Sequence, residues 1–174
     1  SPLVVPMIYG REDDTIFLHG ARKARVIRML EQTDKACLNV TLLDGIVLAR
    51  SAFNSSYDYR SVTVFGKPRL VEDPAEKLRA LRIISEQTMP GRWDELRDPH
   101  EHEIKMTGVI AFDIETGSAK IADQGVDDEE DDYAIPVWAG VLPLTMSIGA
   151  PVDDDRLRSE EHTSELQSQF RISY

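Results

Sequence analysis

The chain of 174 residues has a single cysteine, Cys37. One thiol cannot build a disulfide framework or a zinc site made of several thiolates. No apolar run approaches the ~18 residues of a membrane span, so the sequence reads as a soluble protein with no membrane partner. Positive charge is the scarcer sign: 20 Lys and Arg stand against 31 Asp and Glu, a formal net charge of −11. That deficit argues against a nucleic-acid binder working through bulk phosphate neutralisation. A Ser-His-Asp order, a Walker loop and a dinucleotide fingerprint are also missing. What is present is an apolar share of 41% in a length suited to one domain, enough for a packed core and too much for wholesale disorder.

The two ends read differently from the rest. Residues 158–174, RSEEHTSELQSQFRISY, show no apolar periodicity, cap or turn chemistry. They look like a translated sequencing adapter: residues 158–168 match its reading frame, and Ile172-Ser173-Tyr174 match the resumption after its index. The expected organisation is therefore one domain over residues 1–157 with a non-native tail. Without the tail, 18 basic and 28 acidic residues remain, net −10 (20 − 2 and 31 − 3), and His162 leaves the functional candidates. The opening Ser-Pro-Leu-Val-Val has no initiator Met and no signal-peptide pattern, so the natural chain is expected to extend beyond both ends, in a cytoplasmic protein.

Periodicity sets out the elements. Residues 3–9 read as a strand, with Pro6 near an edge or bulge, and 15–18 as its hairpin partner across a polar turn at 10–14. Val26, Ile27, Met29 and Leu30 fall at helical spacing within 23–32. Leu38, Val40 and Leu42 alternate against Cys37, Asn39 and Thr41, the pattern of a half-buried strand. Asp44-Gly45 predicts a tight hairpin with 46–53 returning. Residues 59–71 form a long strand with a bulge near Gly66 and Pro68. Asp73-Pro74-Ala75-Glu76 opens a helix with Leu78, Leu81 and Ile84 on its buried stripe, stopped by Pro90-Gly91. A second helix is expected over 94–105, a hairpin around Thr116-Gly117, an acidic loop over 123–132 and a last strand over 135–146. Strands do not alternate with helices, which disfavours a doubly wound parallel sheet. The expected fold is mainly β: an antiparallel barrel with flanking α-helices.

The most informative patch is His19-Gly20-Ala21-Arg22-Lys23-Ala24-Arg25, between a strand and a helix. Cations in the first turn of a helix oppose its dipole and its unpaired N–H groups. An anion bound there resolves the conflict; a phosphate fits, and Gly20 allows close backbone approach. A solvated basic turn is the alternative reading.

The strings IFLHGARKAR, LLDGIVLARSAF, YRSVTVFGKPR with DPAEKL following, and YAIPVWAGVLPL are collinear and span most of residues 2–150. Together they resemble the pyridoxamine 5′-phosphate oxidase-like family of flavin-binding split-barrel proteins, on the branch near the nitroimidazole-resistance proteins. The resemblance implies an antiparallel split β-barrel and FMN bound at a homodimer interface. By position, Arg25 matches the phosphate-binding Arg or Lys, with Lys23 and Arg22 beside it; Ala24 stands where relatives often carry Ser. Leu18 and His19 end the strand that lines the flavin, His19 as a flavin or phosphate ligand or as a satisfied turn histidine. Val5, Pro6 and Met7 correspond to the strand flanking the isoalloxazine ring, and Ser61 to a polar flavin contact. Trp138 matches a tryptophan near the flavin of the opposite subunit, or serves as a core or interface aromatic. The arginine and histidine that bind substrate phosphate in true pyridoxamine phosphate oxidases have no match, so a different small-molecule substrate is expected. The family normally carries a helix and strand before the point where this chain begins, so the 174-residue chain is expected to fold poorly.

The expected activity is that of an FMN-dependent oxidoreductase, with no side chain assigned as acid or base. A flavin-binding module without turnover, or the same fold with deazaflavin or haem, are the alternatives. His100 and His102 are spaced to face different sides of a helix, so no metal site is expected. The acids 127–132 read as a solvated loop, and Cys37 as a small buried hydrophobe.

Overall fold

The computed structural model describes residues 2–156; the segment 158–174, expected to be a non-native tail, lies outside the described residues. Two apolar runs without polar alternation, Ile16-Phe17-Leu18 and Val109-Ile110-Ala111-Phe112, demand a sheet covered on both faces. They lie in strands β2 (Thr15–Ala21) and β5 (Thr107–Ala122), paired antiparallel with Phe17 opposite Ala111 and Leu18 opposite Ile110. On one face Phe17, Val109 and Ala111 join Val71 and meet Ala80 and Ile84 of helix α2 (Pro74–Thr88). On the other, Ile16, Leu18, Ile110 and Phe112 surround Ile27 of helix α1 (Arg25–Glu31). None of these side chains is more than 5% exposed.

Strand β1 (Tyr9–Glu12) reaches β2 through the two-residue turn Asp13-Asp14, with Asp13 in the left-handed region at φ 51°. Aspartate tolerates that conformation better than most residues. The strand expected over 3–9 is not formed: residues 2–8 pair with nothing, and only Tyr9 belongs to β1. Pro2 and Pro6 have no N–H to give a ladder. Strand β4 (Ser56–Leu70) pairs antiparallel with β5, and the expected bulge is present as a register shift between Phe65 and Gly66. A Cβ at Gly66 would stand 1.9 Å from the carbonyl oxygen of Asp113, so only glycine fits there.

Both hairpins expected from short turn signals are absent. Asp44-Gly45 lies inside strand β3 (Ala36–Leu48), and Thr116-Gly117 lies inside β5. A type I′ turn needs positive φ at both central residues, and none of these four has it. Their backbone groups go to distant strands instead. Gly45 faces Pro143 of β6 (Gly140–Pro143), and the Leu144 N–H donates to the Asp44 carbonyl at 2.9 Å. Thr116 and Gly117 face Phe65 and Val64. The hydrogen-bonded strand order is β1-β2-β5-β4-β3-β6, and every described register is antiparallel.

The chain divides into two units. The first, residues 1–43 and 58–124, holds both hydrophobic clusters and the three α-helices of the described residues. In α2 the Asp73 carboxylate accepts the Glu76 N–H at 2.7 Å, as the sequence predicts. The Glu76 carboxylate takes the Arg69 guanidinium at 2.6 and 3.2 Å. The helix buries Ala80 and Ile84 with Leu81 packed beside them, while Leu78, expected in the stripe, is exposed. The helix expected over 94–105 is broken by Pro99, whose ring disfavours helix at the preceding residue. A 3₁₀ turn at Arg92–Glu95 and helix α3 (Glu101–Met106) replace it. His100 thereby becomes a cap residue, and its ring stacks on that of His102 at 5.6 Å instead of facing another side. Cys37 is exposed, on the outward alternation of β3 opposite in phase to Leu38 and Val40, not buried as expected.

The second unit, residues 44–57 and 125–174, contains the β3–β6 pairing over Gly45 to Leu48. The strand expected over 135–146 is only four residues long, preceded by a 3₁₀ turn at Glu130–Ala134 and bounded by Pro136 and Pro143. One of the six acids expected to be solvated is enclosed. Asp128 accepts the Arg50 backbone N–H at 3.0 Å and its Nη1 at 2.9 Å, and the Arg50 guanidinium lies over the Tyr133 ring. Burial pushes the Asp128 carboxyl up, but the hydrogen bonds and charge of Arg50 prevail and hold it below the usual carboxylate range.

Candidate functional site

The turn after β2 is built on a pair of glycines. Gly20 and Gly108 face each other across β2 and β5 and form the seat of Ile27. A Cβ at Gly20 would lie 3.4 Å from Ile27 Cγ1, and one at Gly108 only 2.7 Å from Ile27 Cγ2. A helix as short as α1 has little stability of its own, so Ile27 in this seat is what holds it. The backbone of the turn is fixed at two points: the Ala24 N–H donates to the Ala21 carbonyl and the Arg22 N–H to the Met106 carbonyl, both at 2.8 Å. Ala24 offers no side-chain cap and the first turn of α1 has no acid.

Charge on this turn is unevenly neutralised. Arg22 is engaged, its two terminal nitrogens each 3.0 Å from a carboxylate oxygen of Glu31. Lys23 and Arg25 are exposed and have no hydrogen-bond or ion-pair partner among the described residues. Elsewhere Arg50, Arg69, Arg82 and Arg97 each meet a carboxylate. His19 is half-buried in β2, and its Nδ1 is enclosed with no hydrogen-bond partner. Two free cations on a pinned backbone fit an oxyanion such as a phosphate, whereas His19 alternates with Leu18 and Gly20 and stands on the Phe17 and Val109 face of the sheet.

The remaining candidates lie elsewhere. Leu18 points into the core beside Ile27. Val5 and Pro6 sit in the strand-free segment on the surface, and Met7 packs against the cluster that contains Leu18. Ser61 Oγ accepts from Asn39 Nδ2 at 3.0 Å and lies 2.9 Å from Thr41 Oγ1. Asn39 also donates to Thr63 Oγ1 at 2.9 Å. This polar row was legible in the outward alternation of Asn39 and Thr41, although Ser61 alone was singled out. Trp138 belongs to the second unit; it is 63% exposed, and its ring lies over Gly140, whose Cβ would meet it at 2.8 Å. The chain thus brings Leu18, His19, Arg22, Lys23 and Arg25 into one stretch, while Ser61 is held in a separate polar row.

Two clefts complete the first unit. One of about 210 Å³ is lined by Arg25, Arg28, Met29 and Gln32 on α1. Sequence reasoning missed Arg28 and Gln32; their i, i+3 and i+7 spacing from Arg25 was the available signal. The other, about 280 Å³, is lined by Trp93, Leu96, Arg97, Pro99 and Glu103. There the Arg97 guanidinium, joined by the His100 N–H, holds the Glu103 carboxyl down to about 2. Among the described residues no group of three or more His, Cys, Asp or Glu is placed to hold a metal ion.

Fold and turn together define a mainly β, antiparallel split-barrel protein with a cationic turn after its second strand. The family model of pyridoxamine 5′-phosphate oxidase matches residues 1–121, and the chain belongs to that family. Among solved structures it is similar to the flavocytochrome Anf3 from Azotobacter vinelandii, with 37% identity and a TM-score of 0.89 over 99% of this chain and 80% of that one. It is also similar to an FAD and heme binding protein from Mycobacterium smegmatis, with 32% identity and a TM-score of 0.89 over 97% of this chain and 83% of that one. A 5-nitroimidazole antibiotic resistance protein from Bacteroides thetaiotaomicron shares the fold, at 24% identity and a TM-score of 0.57 over 68% of each chain. No match was found among curated proteins. No helix among the described residues is long and apolar enough to cross a membrane.

Proposed function

We propose that this chain is a flavin-binding oxidoreductase that holds the phosphate end of FMN at the turn between β2 and α1. The observation that carries the reading is the pair of unpaired cations, Lys23 and Arg25, on a backbone fixed by the Arg22 and Ala24 N–H groups. A bound flavin supplies hydride and single-electron chemistry. The protein's part is to bind and orient it. Lys23 and Arg25 give charge-assisted hydrogen bonds to the phosphate, with Arg22 supporting them through its contact with Glu31. His19 uses its free ring nitrogen as a hydrogen-bond partner. Val5, Pro6 and Met7 flank the ring system, Ser61 offers a polar contact, and Trp138 covers the flavin of a second subunit. A homodimer is supported by the exposed apolar side chains of Val62 and Ile121, which share one face of the β4–β5 pair, as side chains of an association surface do. The substrate of this reading is a small molecule.

The test is binding by the purified chain. The protein is expected to be yellow and to release flavin on denaturation, and Arg25→Ala should weaken FMN binding roughly tenfold or more, the worth of a hydrogen bond to a charged group. Unchanged affinity in that variant would place the phosphate elsewhere. Steady reoxidation with a reductant and an acceptor separates an oxidoreductase from a flavin-binding module. A second reading, FAD together with haem, is favoured by the two similar structures that span nearly the whole chain. A Soret absorption band in the purified protein, with FAD as the flavin released, would favour it over FMN alone.

A further inference from the structure

Sheet edges offer unpaired N–H and C=O groups to any extended chain, and folded proteins defend them with short strands, charges or proline. Strand β1 is defended in this way, with four residues that include Arg11 and Glu12. So is β6, with four residues that end on Pro143. Strand β3 is not. One of its edges is taken by β4, as the sheet order and the reach of Asn39 to Ser61 and Thr63 show. Its register with β6 covers only Gly45 to Leu48. Over Ala36 to Leu43 the edge away from β4 therefore has no strand partner among the described residues. That stretch, ACLNVTLL, contains no charge, no proline and no glycine. Leu38 packs with Val64 against the cluster around Ile27. Leu38, Val40 and Leu42 therefore continue the sheet face that carries Val62 and Ile121. Leu42, Val62 and Ile121 are each at least 40% exposed.

We infer that a second copy of this chain adds to this edge as an antiparallel strand, about a two-fold axis at Val40. The occupant follows from the order of side chains in the segment. Residues directly opposite each other in an antiparallel pair share a face and touch. With the axis at Val40, that valine meets its own counterpart and Leu38 meets Leu42 of the partner subunit. On the other face Asn39 meets the partner's Thr41, and Cys37 the partner's Leu43. Apolar side chains fall on apolar ones, amide falls on hydroxyl, and no like charges are opposed. An axis between Asn39 and Val40 would instead set Asn39 against Val40 and Leu38 against Thr41, so the alternation specifies the register. An extended peptide of another protein would satisfy the backbone groups as well, but the self-complementary order favours a second copy. The inference rests on the homodimer of the reading above and gives that dimer a hydrogen-bonded seam. Across the seam the apolar row of Leu38, Val40 and Leu42 continues into its counterpart and extends the face of Val62 and Ile121.

The experiment uses the full chain. Light scattering after size exclusion gives the oligomeric state of the wild type, expected to be a dimer. Sedimentation across a dilution series gives the dimer dissociation constant for the wild type and Val40→Lys. The substitution replaces an apolar pair on the axis by two like charges, so V40K should weaken the dimer about tenfold or more. Thermal melting checks that the variant is folded. A second arm does not depend on that variant. In Cys37→Ser/Val40→Cys the one thiol of each copy lies on the axis, and oxidation with diamide should link two copies covalently. The wild type should stay unlinked: its only thiol, Cys37, stands six positions out of register with its counterpart, about 20 Å away at ~3.4 Å per residue. A V40K dimer of wild-type strength would overturn the inference and leave the homodimer reading standing. So would a folded C37S/V40C dimer that diamide does not link. A monomeric wild type would overturn both and pass the edge to an extended peptide of another protein.

Discussion

Replacing Gly108 by alanine adds one methyl group at the tightest point beneath α1, and Gly20 supplies a matched control. The two glycines face each other in the same ladder, both under Ile27, and neither has a positive φ. Alanine at either site gains about 0.4–1 kcal/mol by restricting the unfolded chain. That gain is common to both and cancels in the comparison. What differs is the space. At Gly20 the new Cβ meets Ile27 Cγ1 at 3.4 Å and Cδ1 at 3.5 Å, ordinary contact distances. At Gly108 it meets Ile27 Cγ2 at 2.7 Å and the Arg22 Cα at 3.2 Å. Ile27 is fully buried and β-branched, so it has no alternative rotamer to retreat into. Arg22 is anchored through its N–H to Met106. Overpacking of this kind costs about 1–3 kcal/mol. In a domain of this size each kcal/mol moves the melting temperature by about 2–4 °C, so G108A should melt roughly 2–12 °C below G20A. Thermal unfolding followed by circular dichroism measures the difference. If G108A melts at or above G20A, the seat does not hold α1 as described. Because the same methyl displaces the Arg22 to Arg25 turn, flavin affinity should fall in G108A and not in G20A.

Glu103, held at about 2 against an ordinary 4.5 by the Arg97 fork and the His100 N–H, binds fewer protons folded than unfolded between those values. Its contribution is present above the ordinary value and lost as pH falls toward about 2, so stability in acid should drop less steeply in Glu103→Gln; identical acid limbs in urea titrations would refute the assignment. Asp128→Asn should lower the melting temperature because it leaves the mostly enclosed Arg50 without its counter-charge. Asp127→Asn removes the same charge from an exposed neighbour and should leave melting unchanged; equal effects of the two would show that net charge, and not the ion pair, is responsible.

Legibility in the sequence followed the range of the interactions. The cap of α2 lies within four consecutive residues, Asp73 to Glu76, and appeared as expected. The bulge at Gly66 was legible because glycine and proline in a strand have few other uses. Asp44-Gly45 and Thr116-Gly117 misled because a turn signal states only what the backbone prefers locally. Each pair instead found a strand distant in sequence to satisfy its polar groups, as the registers with Pro143 and with Phe65 and Val64 show. Cys37 misled differently: its place opposite in phase to Leu38 and Val40 already put it on the outward side.

The sequence by itself determined the antiparallel, mainly β character of the chain, its family and the location of a cationic turn before a short helix. These are properties of patterns and of near neighbours. Only the tertiary structure decided which of those cations are free. Glu31 neutralises Arg22 because one helix brings it back over the turn, whereas no folded element brings a carboxylate to Lys23, Arg25 or Arg28 among the described residues. Likewise Asp128, one acid in a run of six, is singled out because Arg50, far from it in sequence, closes over it. Charge is written residue by residue, but neutralisation depends on which residues the fold brings within a few ångströms of one another.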